Sequence, residues 1–239
     1  MKLATLLSAA FLLLHGSALA QSKQEALIER YRGYKAEVQA WLDRREYAKA
    51  ENAARAAQEF ADQNEMNRRF VGPLLAEALF RQGLYQEAFG EFVSSIKNGS
   101  NGKWDGMLLV AGSRAPNKPS LSRIMPSWVY GSESPVPGEY RMGLGSASLE
   151  AIGWLTMAIY ETGAIGEEDA LEGVKLAPTA MTGWFVLGLR QLETKKFKEA
   201  IESFRKVAKG NIHALALKAE AKILECEAAV NGGPGSKRE

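Results

Sequence analysis

Cysteine, histidine and net charge are all scarce in this chain of 239 residues, and each scarcity removes a class of function. One cysteine, Cys226, permits no internal disulfide. The fold must therefore rest on ordinary hydrophobic burial, which 46% hydrophobic residues over this length can supply. Two histidines, His15 and His213, do not make a histidine-clustered metal site. With 30 Lys and Arg against 28 Asp and Glu, the chain has no global field to draw nucleic acid or an anionic membrane. Alternating β-branched runs are nearly absent, which argues against a sheet. The one long apolar run, Leu3 to Leu14, is too short for a bilayer core about 30 Å thick.

That run has another meaning. Lys2 gives it a positive start, and Ala18-Leu19-Ala20 closes it in the A-x-A form that signal peptidase prefers. Residues 1–20 are therefore expected to be a cleaved leader. No cysteine follows to carry a lipid, so the product is expected outside the cytoplasm, periplasmic or secreted. It would start near Gln21 and hold no membrane span. His213 is then its only histidine, and 29 basic residues, all but Lys2, face 28 acidic ones.

Ala, Leu, Glu, Lys, Arg and Gln dominate the remaining chain, as helices favour. Residues 24–62, 66–97, 146–176, 180–209 and 212–230 read as helical pairs or single helices. Residues 98–145 differ, holding five of the eight prolines (Pro116, Pro119, Pro126, Pro135 and Pro137) and many glycines. Proline lacks a backbone donor and blocks helix interiors, so this insert reads as irregular, with at most a short helix around Trp104 to Ser113. The tail 231–239 has nothing to bury and reads as disordered. The chain thus divides into helix pairs over 21–97, the insert, and helix pairs with a closing helix over 146–230.

The helical stretches repeat one another. "RREYAKAENAARAA" (44–57), "QGLYQEAFGEFVSS" (82–95) and "TKKFKEAIESFRKV" (194–207) share a polar turn, an aromatic, two residues that are polar except for Ala48, and an alanine. The matched pairs are Tyr47 with Ala50, Tyr85 with Ala88, and Phe197 with Ala200. The first interval between alanines is 38 residues and the second 112, close to three such units. In the last copy Trp184, Leu187, Gly188 and Gln191 share one helix stripe, and Phe197, Ala200, Phe204, Val207 and Ala208 share the facing one. Gly188 and Ala200 let the two backbones approach, and the aromatics fill the space beside them. Such a pair needs neighbours on both sides to cover its apolar faces, and 212–230 supplies the last of them.

This pattern resembles the tetratricopeptide repeat, an antiparallel helix pair of about 34 residues. Trp184, Leu187, Gly188, Ala200 and Phe204 carry the resemblance, with Leu75, Ala76, Ala88 and Phe92 in an earlier copy. Tyr34, Trp41, Tyr47 and Ala50 form a further copy, in which Glu37 stands where leucine is expected. In a copy over 147–180, Pro178 falls just before the next repeat opens, while Gly166 replaces the alanine. The fold implied is all-α: helix pairs stacked as a solenoid, interrupted by the insert. The resemblance also implies partner binding on a groove lined by first helices. The corresponding positions are Phe70, Glu77, Phe80 and Arg81 in one copy, and Thr182, Phe185, Leu189 and Leu192 in the best copy. The second set is apolar and suits a helix or peptide, unless the insert folds back to fill it. Lys195, Lys196, Lys198, Arg205, Lys206 and Lys209 read as a solvated outer face.

Four features suggest chemistry, and each has a plainer reading. Ser94-x-x-Lys97 has the spacing of a serine acyl enzyme, without the companion Ser-Asp-Asn and Lys-Thr-Gly motifs, and reads as a helix end. "GLGSAS" at 143–148 follows no strand and reads as a helix entry capped by Ser146 or Ser148. His213 and Cys226, on one helix, stand about 220° and about 20 Å apart, too far to act together. Trp104, Trp128, Tyr130 and Tyr140 in the insert suit stacking on a sugar ring, or packing down to anchor the segment. The expected function is a non-catalytic scaffold or adaptor in a bacterial envelope, with a protein or peptide partner and no cofactor. The alternatives are an enzyme or carbohydrate-binding protein with its site in the insert, and an assembly factor that grips unfolded exported chains.

Overall fold

Helices form wherever apolar residues recur at three- and four-residue spacing, and the described residues contain no strand. The computed structural model describes residues 2–66, 71–95, 102–116, 136–141 and 143–231. It divides into two units, Met1–Gln82 and Gly83–Glu239. The boundary falls inside the helix pair expected over 66–97.

In the first unit α1 (Lys2–Asp43), α2 (Tyr47–Gln63) and α3 (Gly72–Arg81) follow one another, each packed on its neighbour. The first helix passes Ala20 without a break. It buries Tyr31, Val38 and Leu42, and α2 buries Ala50, Ala54, Ala57 and Ala61. Those alanines fall four, three and four apart, so one face of α2 is smooth and admits a close neighbour. Phe60 fills volume beside them, with its ring 5.4 Å from that of Tyr34 and the Arg30 guanidinium 4.9 Å from its centre. Pro73 opens α3, where a missing N–H costs nothing. Every residue of α3 from Gly72 to Phe80 is buried. No helix among the described residues is long and apolar enough to cross a membrane.

The second unit contains α4 (Tyr85–Ser95), α5 (Gly102–Arg114), a single turn α6 (Gly138–Arg141), α7 (Leu149–Tyr160), α8 (Gly163–Leu176), α9 (Met181–Glu193), α10 (Phe197–Ala208) and α11 (His213–Asn231). Helix α4 packs on α5 and α5 on α7, and from α7 onward each helix packs on the next. The Ser148 side chain caps α7 by accepting from Ala151 N at 3.2 Å. This is one of the two cap residues expected for the Gly-rich entry.

The insert is helical where a short helix is expected, and that helix is central rather than peripheral. Met107, Leu109, Val110 and Ala111 of α5 are fully buried, and Pro116 stands just past its end. Residues 102–114 of the insert are therefore part of the helical core. The cause is a glycine on each side of one helix crossing. A Cβ on Gly106 would stand 2.6 Å from Gly153 O, and one on Gly153 would stand 2.7 Å from Gly106 O. Glycine at both positions allows α5 and α7 to touch backbone to backbone. Gly166, which departs from the repeat pattern, has a similar cause: a Cβ there would meet Glu161 O at 2.5 Å.

The turns repeat more closely than the helices do. Arg45, Gly83 and Lys195 each lie two residues before the matched aromatic, and each has positive φ: 60°, 79° and 61°. After α1, Glu46 N donates to Trp41 O at 2.9 Å and Arg45 N to Leu42 O at 2.9 Å. After α9, Lys196 N donates to Gln191 O at 2.8 Å and Lys195 N to Leu192 O at 3.0 Å. These are the paired bonds of a helix terminator that favours glycine at the left-handed residue. One repeat uses glycine, and the other two hold Arg45 and Lys195 in that conformation at a cost of about 1–2 kcal/mol. Lys195→Gly is therefore expected to stabilise the second unit by about 0.5–1 kcal/mol, after the entropy that glycine loses on folding. Urea denaturation followed by helix ellipticity measures the gain.

Candidate partner surface

The best-matched helix pair, α9 and α10, closes as its small residues require. The Phe204 ring lies directly over Gly188, where a Cβ would come within 2.7 Å of Cε1. Phe185 meets the same ring edge-on at 5.6 Å between centres. Ser203 Oγ donates to Gln191 Oε1 at 2.7 Å in the buried seam between the helices. Trp184 donates through Nε1 to Pro178 O at 2.8 Å, and Lys206 Nζ sits 3.3 Å above its ring centre. Gly188, Phe185, Phe204, Gln191 and Ser203 are thus spent on holding the pair together, and Trp184 ties it to the segment before α9.

The six basic residues of the turn and α10 are all exposed, as a solvated outer face requires. Lys196 bonds both carboxylate oxygens of Glu167 on α8, at 2.8 and 2.9 Å. The Glu167 carboxylate holds the Lys196 ammonium above its ordinary range. Thr194 Oγ1 donates to the same carboxylate at 3.1 Å. One buried acid therefore fixes the turn of the next helix pair against α8.

The described positions among those expected to line a groove are buried or half-buried. On α9, Phe185 is only 4% exposed. Its ring is 6.2 Å from Tyr140, and it shares a core with Leu215, Ala219 and Cys226 of α11. Leu189 and Leu192 are half-buried against that core. Thr182 is buried and donates through Oγ1 to Tyr140 O at 2.5 Å. Its backbone N donates to Gly143 O at 3.2 Å. The end of the insert thus folds back over the start of α9, and α11 packs with Phe185, leaving Leu189 and Leu192 half-buried. On α3, Glu77 and Phe80 are buried and Arg81 is half-buried, with its guanidinium 5.8 Å from the Phe80 ring centre.

Of the insert aromatics, Tyr140 is half-buried and packs on the cores of α7 to α11. Burial, and then the neighbouring Glu139, push its phenol above the usual value. Trp104 is half-buried on α5. Phe70, Trp128 and Tyr130 lie outside the described residues, as do Lys97 and the tail 232–239. Ser94 Oγ donates to Glu91 O at 2.9 Å in the last turn of α4, as a helix-end serine does. His213 is exposed at the start of α11, and Cys226 is buried further along it. Burial raises the Cys226 thiol above its usual value, which disfavours the reactive thiolate.

One cluster escaped sequence reasoning. Arg114, at the end of α5, lies 5.3 Å from the Tyr85 ring centre and 5.2 Å from that of Trp154. It donates to Glu150 Oε1 at 2.5 Å and to Tyr85 Oη at 2.9 Å. The cluster ties α4, α5 and α7 together, and its members are up to 69 residues apart in sequence. No local pattern announces it. Its guanidinium already stands beside both rings, so the cluster reads as a clamp rather than an open sugar platform.

Comparison with family models, with curated proteins and with solved structures finds no match.

Proposed function

We propose that this chain is a non-catalytic scaffold of the tetratricopeptide type, exported through its leader and working outside the cytoplasm on a protein partner. The observation that carries this reading is the repetition of one helix-pair design. The same left-handed turn residue stands at Arg45, Gly83 and Lys195, and the motif side chains of α9 and α10 are spent on packing. Helix pairs of this kind gain their function from surfaces rather than from reacting groups. The partner surface proposed on α9 is the half-buried edge formed by Leu189 and Leu192, with Phe185 as its support from beneath. On α3 it is the half-buried Arg81, over Phe80 and Glu77. A partner helix or peptide of apolar character suits the α9 edge.

A photocrosslinking residue placed at Leu192, in the chain expressed in its own cells, tests this. The expected result is repeated capture of one discrete extracytoplasmic protein from Leu192 and none from Lys198 on the outer face. Recovery of no protein from Leu192, with glycan retained on the purified chain instead, would overturn the scaffold reading in favour of a carbohydrate site in the insert.

A further inference from the structure

The helix α11 has two apolar faces, and among the described residues only one of them is buried. Leu215, Ala216, Ala219 and Cys226 turn inward and are buried. On the opposite side Ala214, Leu217, Ala221, Leu224 and Ala228 are all exposed. Leu224 at 67% and Leu217 at 52% are the most exposed large hydrophobic residues among those described. A helix that ends a stack ordinarily turns a polar face to water, because nothing follows to cover it. These five residues are spaced three, four, three and four apart, the pattern of a two-helix seam. Alanine recurs at every seventh position, so two such helices can approach closely.

We propose that this face is a self-association surface, on which α11 packs antiparallel against α11 of a second copy about a two-fold axis near Ala221. The charges beside the stripe choose the orientation. One edge carries Lys218 and Glu225, and the other carries His213, Glu220 and Glu227. Parallel pairing would set Glu220 beside Glu225 of the partner subunit, like against like. Antiparallel pairing about Ala221 sets Lys218 beside Glu225 of the partner subunit, and symmetry makes that contact twice. It also lays Leu217 along the partner subunit's Leu224, and Ala214 near the partner subunit's Ala228. Glu220 then lies near the partner subunit's Glu220, an opposing contact that two Lys–Glu pairs and four leucines outweigh. Within one copy Lys218 bonds Glu139 at 2.5 Å and Glu225 bonds Lys222 at 2.6 Å. These exposed pairs are weakly held and free to share a second partner. The surface is isologous, so the assembly closes at two copies. The proposal stands independently of the partner surface on α9.

The test is sedimentation of the purified full chain over a range of concentrations, with a cysteine-crosslinking arm. The chain is expected to dimerise, and Leu224→Glu to abolish the dimer while leaving helix ellipticity unchanged. Lys218→Glu is expected to weaken the dimer about tenfold, and Lys218→Glu with Glu225→Lys to restore it to within a few-fold. Ala221→Cys is expected to form an intermolecular disulfide on mild oxidation, and Ala228→Cys to form none. In the antiparallel pair the two copies of residue 228 stand about 20 Å apart, far beyond the reach of about 7 Å between Cα atoms that a disulfide allows. Buried Cys226 supplies no background. A chain that stays monomeric at every concentration overturns the proposal, as does a dimer unaffected by Leu224→Glu. Equal crosslinking at 221 and 228 overturns the antiparallel pairing.

Discussion

Phe204→Ala is expected to lower the unfolding free energy of the Gly83–Glu239 unit by about 3–5 kcal/mol. The ring is fully buried, in a core built from residues of α9, α10 and α11. The ring lies over Gly188 and meets Phe185 in an edge-type contact, and Phe185 in turn packs near Tyr140. A ring removed from this position leaves a hole that its neighbours cannot close without leaving other contacts, so the loss belongs near the top of the range. Equilibrium urea denaturation followed by helix ellipticity measures it. A loss below about 1 kcal/mol would show that the pair is held mainly by polar links such as Ser203 to Gln191 rather than by this ring. The contact between Gly188 and Phe204 can be isolated further. Gly188→Ala is expected to destabilise the parent chain, because its Cβ would stand within 2.9 Å of three atoms of the rigid Phe204 ring. In a Phe204→Leu background much of the ring is gone, and the ordinary helix preference for alanine over glycine, about 1 kcal/mol, can emerge. A double-mutant cycle should return a coupling of about 1–2 kcal/mol.

Most of the helical order was legible because it is a local property. The stretches 24–62, 146–176, 180–209 and 212–230 became α1 with α2, α7 with α8, α9 with α10, and α11, each written by apolar spacing and polar turns. The seam of α9 and α10 was legible for the same reason, since Gly188, Ala200 and Phe204 lie within one short stretch. What escaped is what distant residues do to one another. The approach of Gly106 to Gly153 spans 47 residues, and nothing around either glycine distinguishes it from a flexible one. The cover on Phe185 comes from Tyr140, 45 residues earlier, and from α11. Periodicity places Phe185 on a face but does not say whether that face is open. The outer stripe of α11 is the converse case. Its heptad spacing stood in the sequence throughout, but only burial on the opposite side shows which stripe is core and which is left over.

The glycine crossing gives the second large effect, and it reverses an ordinary rule. A helix-interior Gly→Ala change usually stabilises, by about 0.5–1 kcal/mol, because alanine has less freedom to lose. Gly90 on α4 is such a site: it is exposed, and an added Cβ meets nothing within 4 Å. Gly90→Ala is expected to gain that amount. Gly153→Ala makes the same chemical change in a helix of the same unit, but its Cβ would stand 2.7 Å from a backbone oxygen, 2.8 Å from a Val110 methyl and 2.9 Å from Leu109 Cβ. Rotamer changes relieve contacts with the far ends of side chains, but a backbone oxygen moves only if the helix moves. The helices α5 and α7 must then separate where they cross, and the buried side chains that meet there are Leu109, Val110 and Met157. Overpacking of this kind costs about 3 kcal/mol, so the expected net loss is about 2 kcal/mol after the propensity gain. Gly106→Ala should act alike, since its Cβ would meet Gly153 O and Met157 N. Combined with Gly153→Ala it should cost less than the sum, because the first substitution already parts the helices that the second would strain. Opposite signs at 90 and 153, read from denaturation midpoints of the two single variants, are the decisive outcome. A gain at both positions would mean that α5 rides loosely on α7 and that the insert's helix is an accessory to the core rather than part of it.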